Sequence, residues 1–405
     1  MRSLLASKAL PAARGGIRLW QEAGLRGVAQ RAARVAYHGL DAHSLEFPLD
    51  LDDVADSRQL NLSVPAQSVD RGRRLRVGWV TTPPALHSGG HTTMFRMVAA
   101  LEAAGHECTI FLYDRYRGDV RSHERTIRRG WPWVRARVAD VSEGLTGTDA
   151  CVATSWGTAH VLATHGRAPM RRLYLIQDFE PFFYPRGAEY ALAEDSYRFG
   201  FRSIAVGNMV ADLLRERVGV GSDVVEFGCD SEVYRLTETG TRDGVVFYTR
   251  PGAARRGFLL GVLALEQVHK RRPTVPIHLV GGPGIHVPFE AINHGSCSPT
   301  ELCELYNRTR VGLALAFTNV TLLAEELLAC GAVPVINDSA YARADVESDQ
   351  VRWAPPTPSG IADTVLEILD TPPDPRRVAD SARDQAWRPG QAAFRRAVED
   401  ETYAA

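Results

Sequence analysis

Four short stretches of this sequence combine residue types that handle anions and hydroxyls. In His87-Ser88-Gly89-Gly90-His91, two adjacent glycines sit between a strand-like run and the start of a helical pattern. Glycine lets a ligand approach the backbone closely, and a helix start offers free N–H groups to an anion. His87 and His91 have no third partner with metal-ligand spacing, and the plainer alternative is a glycine turn with surface histidines. Arg250-Pro251-Gly252-Ala253-Ala254-Arg255-Arg256-Gly257 occupies a matching place in the second half. Arg250 and Arg256 beside a helix start are the cationic forks that a diphosphate leaving group needs; the alternative is a solvated basic turn. Only Lys8 and Lys270 are lysines among 47 basic residues, so an arginine here can stand where lysine would otherwise serve.

Thr318-Asn319-Val320-Thr321-Leu322 opens an otherwise apolar helical run that contains Glu325 and Glu326. A carboxylate in such a run must satisfy helix N–H groups or bind a ligand, with capping or ordinary exposure as the alternatives. Gln177-Asp178-Phe179-Glu180 follows a strand-like run, which puts three polar side chains at the edge of a predicted cleft. On the competing reading Asp178 caps a turn, and Phe179, Phe182 and Phe183 belong to the core.

The elements that must position these residues repeat one pattern twice. Strand-like runs LRVGWVTT from Leu75, ECTIFLY from Glu107, Ala150–Ala153, Arg172–Ile176 and Ser203–Val206 alternate with helical patterns, one near Thr92–Ala104. Beyond the polar stretch Thr237–Asp243 come GVVFYT, a helix near Phe258–Arg271, IHLVGG and a helix near Pro299–Arg310. VGLALAF, a helix near Leu322–Cys330 and VPVIN complete the second half. Such alternation predicts parallel sheets covered on both faces. The fold class is therefore α/β, with two doubly wound Rossmann-like domains facing across a cleft, at residues 73–236 and 237–380. Residues 1–72 form a basic helical extension and an acidic linker, and 381–405 a helical tail placed to return across the first domain. Neither half contains GxGxxG or a P-loop. Asp50-Leu51-Asp52 is a formal DxD, but it lacks the strand context that a metal-bound diphosphate requires.

A hydrophobic share of 45% and a charged share of 23% are ordinary for globular proteins. A net charge of −1 offers no basic excess for nucleic acid. Six cysteines occur without CxxC or zinc-ligand spacing, as expected in a reducing cytoplasm. No apolar run approaches the roughly 18 residues that span a bilayer. Residues 1–36 carry seven basic residues against Glu22, with an apolar stripe from Ile17. This segment either lies on an anionic membrane or packs on its own protein. The expected location is the cytoplasm, with peripheral contact at the inner face of the plasma membrane through that segment.

At these motifs the chain resembles the GT-B nucleotide-sugar glycosyltransferases of family 4, the retaining class. HSGGH with its following helix, and AAGHECTIF, resemble the family's Gly-Gly loop and "GHxVt" strand entry. FGCDSEVY resembles "nGvDxxxF", and TRPGAARRG resembles the "GR…KG" diphosphate site with Arg256 where lysine is usual. EELLACGAVPV resembles "EAmacGxPV", which puts the family's second glutamate at Glu326. The motif order agrees over roughly residues 75–370. TSWGTAHVL, YLIQDFEPFFYP and EDSYRFGFRSIAVGN resemble the WsaF-type rhamnosyltransferases, which use a deoxythymidine-diphosphate rhamnose donor. One position departs: the pattern Glu-x7-Glu would place its first, sugar-contacting glutamate at Thr318.

The resemblance implies a metal-independent hexosyltransferase without cofactor. It would move rhamnose from dTDP-rhamnose to a hydroxyl of a glycan or lipid-linked glycan in bacterial cell-surface polysaccharide synthesis. Glu326 would take the ribose, and Arg250 and Arg256 the diphosphate. Gly89, Gly90 and His91 would close on the donor from the first domain, with Asn319, Val320, Thr321 and Leu322 lining it from the second. Gln177, Asp178 and Glu180 would orient the acceptor or the sugar. Thr318 keeps open an alternative, a non-catalytic GT-B protein that binds nucleotide or glycan as a scaffold.

Overall fold

The computed structural model describes residues 47–86, 88–237, 240–282, 284–382 and 386–404, with scattered positions between 29 and 39. They fall into two units, residues 1–51 and 52–405. In the first, the described positions between 29 and 39 are helical. The basic stretch before residue 29, with the membrane contact expected of it, and His87 lie outside the described residues.

In the second unit the described strands form two sheets, parallel throughout. The first contains β1 (Arg76–Thr81), β2 (Glu107–Leu112), β3 (Arg137–Asp140), β4 (Ala150–Ala153), β5 (Arg171–Ile176), β6 (Arg202–Val206) and β7 (Asp223–Val225), in the order 3-2-1-4-5-6-7. The second contains β8 (Val245–Tyr248), β9 (Ile277–Val280), β10 (Ile292–Asn293), β11 (Val311–Leu313), β12 (Val333–Asn337) and β13 (Arg352–Ala354), in the order 10-9-8-11-12-13. The central strands are apolar along their length because helices cover both faces; β4 and β12 are buried at every residue. Strand order reverses between β1 and β4 and again between β8 and β11, and a crevice opens at the carboxyl ends of these pairs. This is the GT-B architecture that the motifs implied.

Six helices matter for the crevice: α1 (Gly89–Ala103), α2 (Trp156–His165), α3 (Asn208–Leu213), α4 (Phe258–Arg271), α5 (Thr321–Ala329) and α6 (Arg388–Thr402). Helix α4 runs over the residues its pattern predicts, because Val262, Leu265 and Val268 recur on one buried face. Helix α1 begins at Gly89, three residues before the predicted Thr92, since two glycines contribute no apolar signal. VGLALAF is strand only as far as Leu313. Beyond it the Asn337 side chain bonds both Ala316 N and Ala316 O at 2.7 Å, which turns the chain into a loop. Residues 51–53 form a 3-10 turn, so the DxD is not at a strand end.

Helix α6 packs on the first sheet, where Phe394 stacks on Trp79 with ring centroids 5.2 Å apart. Two further contacts join the halves. Asn208 N and Met209 N, at the start of α3, donate to Asp345 at 2.5 and 3.2 Å. Arg217 donates to the Tyr341 hydroxyl at 2.8 Å.

Candidate active site

Loops leaving the carboxyl ends of β1, β5, β8 and β11 meet in the crevice. After β1, Ser88 caps α1 and accepts a bond from His91 N. The His91 ring lies between Ser88 Oγ at 2.9 Å and Thr82 O at 3.3 Å. Burial lowers its pKa, the Thr82 carbonyl opposing, so the ring is neutral at pH 7 and secures the turn. Gly89 and Gly90 have no left-handed backbone. A Cβ on Gly90 would stand 3.6 Å from Gln177 Oε1, and one on Gly89 3.9 Å from Leu322 Cδ1, both ordinary contacts. The glycines thus leave room between the start of α1, the β5 loop and α5.

The β5 loop carries two carboxyls with different surroundings. Asp178, 6% exposed, accepts from Phe179 N at 2.9 Å through Oδ1. Its Oδ2 accepts from the Thr318 hydroxyl at 2.9 Å, and Arg255 Nε lies 3.7 Å away. Beside it, Asn319 Nδ2 donates to Gln177 O at 2.6 Å. Burial pushes the Asp178 pKa up, against the pull of Arg256 and Arg255. Glu180 is engaged elsewhere, accepting from Trp156 N at the start of α2 at 2.8 Å and facing the Tyr174 hydroxyl at 3.3 Å. Its own N–H donates to the Tyr197 hydroxyl at 2.9 Å, and Trp156 Nε1 donates to the Tyr184 hydroxyl at 3.0 Å. TSWGTAHVL, YLIQDFEPFFYP and EDSYRFGF are therefore sides of one buried knot. Within it burial pushes Glu180 up to about 8, Trp156 N opposing and Asp178 adding.

From the β8 loop, Arg250 is exposed and lies over the Tyr248 ring, 5.0 Å from its centroid. Arg256 turns inward. It donates to Asn319 O at 2.7 Å and to Asn319 Oδ1 at 3.3 Å, and among the described residues no carboxylate pairs with it. Burial lowers its pKa; Asp178 opposes this, while Arg255 and Arg250 add to it. A cation whose hydrogen bonds go to a neutral group, with Asp178 near but not in ion-pair contact, is costly to bury unless a further anion completes the site. Gly257 follows in left-handed backbone with φ 62°, and a Cβ there would come within 3.0 Å of the Phe317 ring. Glycine is required at that turn. Arg255, which sequence reasoning had not singled out, lies 4.0 Å from the Phe183 ring centroid. Its signal was its place between two candidate residues in a run where arginine is common.

The β11 loop brings Thr318, Asn319 and Val320 into the interior, and Phe317 N donates to Arg255 O at 2.9 Å. Thr321 opens α5, and Leu322 faces Gly89. On α5, burial pushes Glu326 up to about 8, with Asp230 adding. Asp230 in turn pairs with Arg96 of α1 at 2.9 Å. The nearby Tyr306 hydroxyl is buried and among the described residues has no hydrogen-bond partner, and burial and Glu326 both raise its pKa. Glu326 thus sits with an unsatisfied phenol, apart from the hydrogen-bonded cluster of Asp178, Thr318, Asn319 and Arg256. Among the described residues no group of three or more His, Cys, Asp or Glu is placed to hold a metal ion. No described helix is long and apolar enough to cross a membrane.

Residues 136–210 match the family described as WsaF, N-terminal domain, and residues 243–366 match WsaF, C-terminal domain. The O-antigen biosynthesis protein RfbC of Myxococcus xanthus is 30% identical over 254 residues, which cover 56% of this chain and 20% of that protein. The chain thus spans about a fifth of the length of this curated relative. Among solved structures, Anabaena HepE in complex with UDP-glucose superposes with a TM-score of 0.61 at 12% identity, over 81% of this chain and 99% of that one. A Staphylococcus aureus TarM mutant, bound to fondaparinux, alpha-GlcNAc-glycerol and UDP, gives 0.58 at 8% identity, over 81% and 97%. At such identities these structures establish the shared fold and nothing finer.

Proposed function

We propose that this chain, which carries both WsaF domains on a GT-B scaffold, is a glycosyltransferase of polysaccharide synthesis. It moves a sugar, rhamnose by the subgroup's chemistry, from a nucleoside diphosphate to a glycan hydroxyl with retention of configuration. The observation that carries this reading is Arg256: an inward-facing guanidinium held by neutral Asn319, with Arg255 and Arg250 beside it and no paired carboxylate among the described residues. Such a group suits a diphosphate whose negative charge grows as the glycosidic bond breaks.

The nucleotide lies on the second sheet, its ribose toward Glu326 and Tyr306. The departing phosphate oxygen takes the acceptor proton, so no separate base is needed. Thr318 cannot supply the carboxylate that the related pattern has at its position. Asp178 reaches across from the first sheet to its hydroxyl, 2.9 Å away, and supplies a carboxylate at the same point for the donor sugar. Glu180 acts one step back, by holding the β5 loop on α2.

Transfer from dTDP-rhamnose, with hydrolysis by water as a parallel readout, tests the reading. Arg256→Ala should lower turnover by about 10²–10³ while leaving the fold intact. Undiminished turnover would overturn the diphosphate assignment. Thermal shifts with thymidine, uridine, guanosine and adenosine diphosphates identify the donor base, since a ligand bound only to the folded state raises its melting temperature. Stabilisation by thymidine diphosphate alone is expected. No shift with any of the four would favour a scaffold over an enzyme.

A further inference from the structure

A groove of about 420 Å³ is lined by residues that stand close in sequence to Asp178 and Thr318. Phe182, Tyr184 and Tyr190 stand on the side of the first sheet, Phe317 and Tyr341 on the side of the second. Its size is that of a small-molecule site, which typically occupies about 300–1,000 Å³. Phe317 is 42% exposed, although its neighbour Thr318 is 1% exposed. A large aromatic ring left open beside a buried polar cluster is a surface made for stacking.

The lining also holds two guanidinium groups. Arg186 lies over the Tyr190 ring, 5.2 Å from its centroid. Arg217 lies over Phe182 at 5.1 Å while donating to the Tyr341 hydroxyl. Among the described residues no Asp or Glu lines the groove, and neither arginine has an ion-pair partner. Elsewhere on this molecule arginines commonly find carboxylates, as Arg202 does with Asp223 at 2.7 Å and Arg343 with Asp338 at 2.7 Å.

Ring faces carry partial negative charge and attract the polarised C–H face of a pyranose, and unpaired guanidinium groups select a phosphate or carboxylate. Phe182 belongs to the turn Glu180–Phe183, just after Asp178, and Phe317 adjoins Thr318. One end of the groove therefore abuts the proposed reacting centre. We infer that this groove is the acceptor subsite and that it takes a saccharide with an anionic group close to its acceptor hydroxyl. The assignment as acceptor subsite rests on the transferase reading; the anionic saccharide preference rests on the groove alone. Two sources share that chemistry, a sugar joined to a lipid diphosphate and a glycan containing a uronic acid.

Binding of glucose 1-phosphate, methyl glucuronide and methyl glucoside to the full chain, measured by calorimetry, tests the inference. At least one anionic probe should bind about tenfold or more tightly than the neutral one, the advantage of a charge-assisted contact. Preference for the phosphate points to a lipid-diphosphate-linked acceptor and preference for the carboxylate to a uronic acid; either supports the groove. Arg186→Glu, at an exposed position where folding is not at stake, should abolish the anionic preference. Phe317→Ala should weaken every probe, and Arg256→Ala should leave all three unchanged. Equal affinity for charged and neutral probes, or no binding at all, overturns the proposal. So does anion binding lost in Arg256→Ala and kept in Arg186→Glu, which places the probe in the diphosphate cluster. Donor hydrolysis separates the two readings. Unchanged hydrolysis in Arg186→Glu with reduced transfer supports both, whereas a wild type that binds the anionic probes but neither binds nucleotide nor hydrolyses donor keeps the saccharide site and retires the transferase.

Discussion

Replacing Glu180 by glutamine should remove a pH-dependent weakness from this protein. Burial raises the Glu180 pKa from 4.5 to about 8. Below 4.5 the carboxyl is protonated in both folded and unfolded chains and contributes no pH dependence. Between the two values the unfolded chain releases the proton and the folded chain keeps it, so stability falls as pH rises. Above about 8 the loss is complete. At 1.36 kcal/mol per pH unit, this separation makes the loss between pH 5 and pH 9 about 4 kcal/mol. Glutamine copies the protonated acid: its carbonyl accepts from Trp156 N, and its amide takes the place of the oxygen that faces the Tyr174 hydroxyl, which then turns to accept. The variant should match the wild type near pH 5 and exceed it by about 4 kcal/mol near pH 9, read from urea midpoints at the two pH values. Other titrating groups are common to both proteins and largely cancel in the difference. A difference independent of pH, or a glutamine variant weaker at both, would mean that Glu180 is ionised in the fold. Transfer by the variant should stay within about threefold of wild type, because the carboxyl is spent at the start of α2 and a position of this kind lacks the larger effect of a charge-stabilising donor. A loss of 100-fold or more with nucleotide binding intact would place Glu180 among the reacting groups instead, since about 10²–10³ is the cost of removing such a donor.

Thr318→Val keeps the shape of the side chain and deletes the hydroxyl that donates to Asp178. Turnover should fall about tenfold, the scale of one hydrogen bond to a charged group, with nucleoside diphosphate affinity unchanged; steady-state kinetics beside nucleotide titration would show it, and wild-type turnover would sever Asp178 from the donor sugar. Asp345→Ala removes the cap that spans the two halves at Asn208 and Met209. It should cost about 1–2 kcal/mol and enlarge the radius of gyration in small-angle scattering. Unchanged scattering and melting temperature would show that this cap does not hold the crevice closed.

Much of the scaffold was legible because its information is local. Runs such as VGWV and VPVIN, apolar at successive positions, mark strands buried on both faces, and the spacing of Val262, Leu265 and Val268 marks α4. The short strands β3, β7, β10 and β13 carry no such signal, since two to four residues, most with a charged end, are too few to show a period. The candidate residues, too, were found by type and by their place after a strand: Gly90, Gln177, Asp178, Arg256 and Asn319 do converge. What each carboxyl does was not written locally. Asp178 and Glu180 share one motif and stand two residues apart, yet one reaches Thr318 across the crevice and the other Trp156 at the foot of a helix. Arg250 and Arg256 share a loop, yet one is exposed on Tyr248 and the other held inside by Asn319. Periodicity and turn chemistry depend on neighbours in sequence, so the chain alone determined the two sheets and the loops that hold the candidate residues. Side-chain direction, desolvation and the partner that meets each charge depend on residues some 60 to 140 positions away, as Arg256 with Asn319 and Asp178 with Thr318 show, and only the folded crevice decides them.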